Sequence, residues 1–235
     1  MSTKVDSPMV STYIDTMGFQ SRTLLLCGAI AGPLFTLIYL AEGATRADYD
    51  PLRHPVSSLA LGERGWLQIL NFLLAAALTM AFAVGVHRSS QRSAWGPLLI
   101  GLWATGLLGA GIFVADPIGG YPLGTPDRLP QPTTHGVLHD YLSLAGFIAL
   151  TAACFVSARS GPPLWRLCCG LSALGFATAM VVSSVTFGQA GDQGDLAGLF
   201  QRIAITIAWS WQALLAFRFL RQGQHGGAER AVLHA

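Results

Sequence analysis

The chain has 235 residues, of which 52% are hydrophobic and 11% charged, with a formal net charge of +2 and a mean hydropathy of +0.49. These values exclude an ordinary water-soluble domain, in which about a quarter of residues carry charge. They point instead to an all-α polytopic membrane protein.

Crossing a bilayer takes roughly 20 mostly apolar residues, because each backbone amide has to find its partner within the segment. Residues 1–21 are polar and lack a sustained period, and read as a mobile N-terminal tail. The first apolar run, 22–41 (RTLLLCGAIAGPLFTLIYLA), is too long for a signal-peptide core and lacks a small-x-small cleavage site, so it is expected to be retained. A second run follows at 66–87 and a third at 95–115, separated by the short turn RSSQRSA. The fourth, 136–158, and fifth, 165–187, are joined by ARSGPP, and the sixth covers 199–219. Residues 220–235 are Gly-rich and read as a second tail, so 22–219 form a six-helix bundle with both termini on one side. Trp66, Trp95 and Trp165 fall at proposed helix ends, where an amphipathic indole prefers to sit. Small residues such as Gly101, Gly106, Gly109, Gly111, Gly170 and Gly175 would pack the helices closely.

Orientation follows from basic residues. Lys4, Arg22, Arg88, Arg92, Arg159, Arg166, Arg218, Arg221 and Arg230 fall on the side of the termini, and Arg46, Arg53, Arg64, Arg128 and Arg202 on the other. That bias predicts cytoplasmic termini. Most carboxylates show the opposite bias, including Glu42, Asp48, Asp50, Glu63, Asp116, Asp127, Asp140, Asp192 and Asp195. The basic residues line a membrane edge rather than a groove, which argues against a nucleic-acid partner and leaves membrane lipids as the expected one. Cys27, Cys154, Cys168 and Cys169 lack C-x-x-C or paired loop spacing and read as packing residues.

Two of the outer connections, 42–65 and 116–134, are far longer than the usual four to six or so residues. The second is rich in Pro and Gly and is suited to a fixed lid. Three clusters would meet on this face: HPVSS at 54–58, ADPIGGYP at 115–122 and TTHGVLHD at 133–140. Thr133 or Thr134 can cap the fourth helix, after which His135 and His139 share one helical face. Two imidazoles at that spacing can grip a cation, and His54 or Asp116 is available as a third donor. A zinc ion so held would lower the pKa of bound water, with Asp116 as ligand or base and Ser57 or Ser58 orienting a reacting carbonyl. The competing reading is structural: the histidines hydrogen-bond loop carbonyls, Ser57 or Ser58 caps a short helix, and an i, i+4 pair lacks the internal base of H-E-x-x-H. Arg202, about one turn inside the sixth helix, needs a partner at that depth, and Asp116, Asp140 or Glu42 would suit it. No acidic relay crosses the bilayer and no inverted repeat is visible, so a small-solute transporter ranks last.

The order of Glu42, YDPLRHPVSSLALGERGWLQILNF, FVADPIGGYP, THGVLHD and LFQRIAITIAW resembles the domain of unknown function 998 family of small bacterial membrane proteins, over about 22–219. The resemblance implies a six-helix integral membrane domain and no established activity. A looser likeness of chemistry, without the helix count or order, exists to the alkaline ceramidase and adiponectin-receptor superfamily. It matches His135 and His139 to that superfamily's His-x-x-x-His pair, Ser57 or Ser58 to its serine and Asp116 or Asp140 to its aspartate. The sequence thus leaves two readings of function: a metal-assisted enzyme acting on a lipid or lipophilic substrate at the outer face, with Asp116 and Ser58 as catalytic candidates and His54, His135 and His139 as metal candidates, or a non-catalytic lipid-binding or accessory subunit.

Overall fold

A computed structural model describes residues 8–89, 93–188 and 196–233, with side chains at 21–89, 93–187 and 196–222. Lys4, Arg92, Asp192 and Asp195 lie outside the described residues, as does the side chain of Arg230. The helices are α1 (Pro8–Thr45), α2 (Gly65–Ser89), α3 (Trp95–Ile112), α4 (Thr134–Ala158), α5 (Pro163–Gly188) and α6 (Ala197–Leu233), with a 3₁₀ turn at Val56–Ala60. Among the described residues, six helical segments are long and apolar enough to cross a membrane, from Ser21–Thr45 to Ala197–Gln222. The helical backbone of α1 and α6 continues beyond those spans into the segments that read as tails.

Each helix packs on its neighbours in chain order, and α6 closes the ring against α1. Because lipid offers no hydrophobic drive between helices, the ring is held by close backbone approach and internal polar bonds. A Cβ added at Gly106 of α3 would lie 2.9 Å from the Cα of Gly146 on α4, so the two backbones touch there. Gly170, by contrast, faces open space rather than a partner helix. Fully buried Asn71 donates to the Phe35 carbonyl and to Gln68 Oε1, tying α2 to α1. Gln212 of α6 donates to the Gly28 carbonyl of α1. Such bonds contribute on the order of 0.6–2 kcal/mol each. Leu37, Ile148, Leu171, Leu174 and Val181 are exposed, forming an apolar belt that suits hydrocarbon rather than water.

The short turns keep α2–α3 and α4–α5 antiparallel, so both long connections and the cap of α4 meet at one end, the loop face, opposite the termini. The third helix stops at Ile112, short of the expected 115, and Phe113 is extended. The residue before a proline is steered out of the helix, as with Asp116 before Pro117, and the freed segment starts the second loop. That loop is folded, with bridges from Ile118 to Tyr121 and Arg128, and with the Gly119 amide donating to the Asp127 carbonyl.

Candidate functional site

Two assemblies occupy the loop face. The first is a knot that ties the first long loop to the second and to α6. Arg46 pairs with Glu42 at 2.8 Å and donates to the carbonyls of Leu59 and Leu61, fixing the 3₁₀ turn on α1. Arg202 donates to the carbonyls of His54 and Gly198 and to the Tyr49 hydroxyl, while Tyr49 donates to the Pro55 carbonyl. Its guanidinium also lies over the rings of Tyr39 and Tyr49, at 5.8 and 5.6 Å. The expected carboxylate partner of Arg202 is therefore replaced by backbone oxygens and aromatic faces, because the first loop folds directly over the start of α6. Loop and helix are joined further by the amides of Gly198 and Leu199, which donate to the carbonyls of Arg53 and Leu52, and by Val56, which donates to Gln201 Oε1.

His54 sits inside this knot, stacked against Tyr49 and Tyr121. Its Nδ1 accepts the Asp50 amide at 2.9 Å, so Nε2 carries the proton and donates to the Gly119 carbonyl at 3.1 Å. Both ring nitrogens are thus engaged. Gly119 has φ +68°, and a Cβ there would lie 3.1 Å from the His54 ring, so a residue without a side chain meets both demands. Burial lowers the His54 pKa from its usual value, with the Gly119 bond opposing. Burial likewise pushes the Tyr49 phenol up to about 12 against the pull of Arg202, so it stays a neutral donor.

The second assembly is the start of α4. Thr133 is the N-cap and its hydroxyl oxygen accepts the Gly136 amide at 3.0 Å. The Asp116 carboxylate accepts the Thr133 amide at 2.8 Å and its hydroxyl at 2.6 Å. It lies so close to the helix that a Cβ at Gly136 would be 2.2 Å from Asp116 Oδ2. A carboxylate at that position is favoured by the positive helix end. His135 and His139 do share a face, but what lies on it is Phe113. The His135 ring packs edge-on to the Phe113 ring at 5.6 Å, and His139 Nδ1 donates to the Phe113 carbonyl at 2.8 Å.

Among the described residues no group of three His, Cys, Asp or Glu side chains is disposed to hold a metal ion. His54 belongs to the knot with no free lone pair, His135 is exposed, and Asp116 is engaged by Thr133, so these residues do not fit the zinc ion expected of them. Ser58 is fully buried and its Oγ has no hydrogen-bond partner among the described residues. Its neighbour Ser57, not Ser58, reaches the cavity described next.

A cavity of about 820 Å³ opens beside the second assembly and descends into the bundle, with walls from all six helices. Its mouth carries Ser57, Asp116, Arg128, His139, Asp140, Ser183, Ser184 and Gln201. Its depth is aromatic: Phe35, Phe72, Trp103, Phe147, Phe176 and Trp209. Asp140, Tyr141 and Leu144 of α4 and Ser184 of α5 line it and are exposed. His139 is 6% exposed, and with Nδ1 committed to Phe113 its Nε2 holds the ring's lone pair. The sequence had singled out His139, Asp116 and Asp140 on this wall but not the aromatic depth. The spacing of Phe176, Met180, Ser183, Ser184 and Phe187, one helical face that turns polar at its outer end, was the available signal.

Fold and site together define a six-helix integral membrane protein with an amphipathic cavity at one face. The chain belongs to the family described as "Protein of unknown function (DUF998)", whose model matches residues 29–218. Comparison with curated proteins and with solved structures gives no match.

Proposed function

We propose that the protein binds one amphipathic molecule, a lipid or lipophilic substrate, taken sideways from the leaflet at the loop face. The observation that supports this reading is the division of the cavity into an aromatic depth and a polar mouth. Its volume falls within the roughly 300–1,000 Å³ of small-molecule sites. The chain of the guest would lie among Phe147, Phe176 and Trp209, and its head would meet His139, Asp140 and Arg128. On the distribution of arginines we assign the termini to the cytoplasm of a bacterial cell, so the loop face meets the outer leaflet.

The test is native mass spectrometry of protein extracted in mild detergent, comparing wild type with Met180→Trp, which fills the cavity from α5. Wild type should retain one lipid-sized adduct and the variant should lose it while keeping its thermal transition. Equal adducts on both would overturn the reading.

One observation favours a second reading, catalysis. A histidine whose Nδ1–H is fixed by a carbonyl presents Nε2 as a general base, and Ser57 lines the same mouth. Incubation with membrane lipids separates the two readings. An enzyme converts lipid and loses turnover in His139→Gln with the adduct retained, whereas a binding protein converts none.

A further inference from the structure

A second cavity, of about 730 Å³, lies at the opposite end of the bundle, on the face of the termini. Three arginines from three parts of the bundle line it: Arg88 in the last turn of α2, Arg159 at the C-cap of α4 and Arg218 on α6. Among the described residues no carboxylate lines it, and the ion pairs among them, Glu42–Arg46 and Arg53–Asp127, both lie on the loop face. Arg218 is held in place, donating to the Ser160 carbonyl at 3.2 Å and stacking over Trp165 at 5.1 Å. The start of α3 adds Ser93 and Gly96 to the wall, where the first amides of a helix carry partial positive charge. Deeper in, Ile100, Leu215 and Phe219 make the wall apolar.

A cation at a helix C-terminus offsets the helix dipole, and that alone accounts for one arginine on α2 and one on α4. It does not account for a third, from α6, on the wall of the same cavity. Basic recesses between membrane helices suit phosphate-bearing head groups. We propose that this cavity binds a phosphate group, that of an anionic phospholipid of the leaflet at the termini face, with Arg88, Arg159 and Arg218 around the phosphate and the acyl chain on the wall of Ile100, Leu215 and Phe219. The site is separate from the loop-face cavity and does not depend on what that cavity binds.

The test uses the full chain in neutral detergent, titrated with phosphatidylglycerol or with phosphatidylcholine of the same acyl chains and followed by native mass spectrometry. Wild type should favour phosphatidylglycerol by about thirtyfold, the scale that two surface arginines provide. Arg88→Gln with Arg159→Gln should abolish the preference, and among the described residues neither side chain carries a structural bond whose loss would unfold the chain. Arg22→Gln with Arg221→Gln removes the same charge from the same face outside the cavity and should leave the preference intact. Equal binding of the two lipids together with no protection by inorganic phosphate, or an equal loss in the two double variants, would overturn the proposal. A parallel thermal-shift titration with inorganic phosphate distinguishes the source. Protection by phosphate, lost in Arg88→Gln with Arg159→Gln and without any phosphatidylglycerol preference, keeps the phosphate site and makes its occupant the free ion.

Discussion

The knot and the cavity mouth stand side by side on the loop face and are built from the same residue types, yet their polar groups are used differently. In the knot, His54 has both ring nitrogens bonded and Arg202 spreads its charge over carbonyls and phenol rings. At the mouth, His139 commits one nitrogen, and the exposed Asp140 lines a cavity. The lesson is that a histidine or carboxylate near a membrane surface indicates a site only when its bonding capacity is left over after the loops have been tied down.

Mutations can break this contrast. The largest effect is expected for Arg202→Met, which takes the charged donor from the His54 carbonyl and the Tyr49 hydroxyl, while the Gly198 carbonyl keeps its backbone bond within α6; bonds to a charged group contribute about 1.5–3 kcal/mol. A loss of about 3 kcal/mol, read as a lower Tm, is expected, and an unchanged Tm would dissolve the knot as a structural unit. Gly136→Ala comes next. Its methyl group would collide with the Asp116 carboxylate and part the cap from α4, at a cost of about 2 kcal/mol in the range of overpacked sites.

Acid sharpens the comparison more gently. Burial holds the folded pKa of His54 below its usual value near 6.5, so the unfolded chain takes up the proton first. Stability is then full above about pH 6.5 and falls as pH drops through the window beneath it, where protonation expels the Asp50 amide from Nδ1. Thermal melts across this range should show a steeper acid-side loss for wild type than for His54→Gln. The smallest effect is expected for His135→Ala, whose exposed ring rests only on Phe113. A change within about 0.5 kcal/mol and an unaltered lipid adduct would mark it as peripheral to the mouth.

The six spans were legible because hydrocarbon imposes one requirement on every residue of a crossing segment, and it shows in composition alone. The cap at Thr133 was legible for a similar local reason: a hydroxyl before an apolar helical run satisfies a free amide. The partner of Arg202 was not, because backbone carbonyls have no sequence signature and the arginine met His54 and Gly198 rather than Asp116 or Asp140. The spacing of His135 and His139 gave their shared face correctly, but it carried no information about Phe113, which reaches that face only because α3 ends at Ile112. The aromatic depth was hidden because cavity lining and core packing draw on the same residues.

The contact of Gly106 with Gly146 has a mechanical consequence for the loop-face cavity, which α4 and α5 both line. With backbone against backbone, α4 is riveted to α3 and cannot lean outward to admit a bulkier guest, whereas among the described glycines none sets α5 against α4 in this way. The cleft thus works as a vice with one fixed jaw, and the girth of whatever it admits is set by the play of the other.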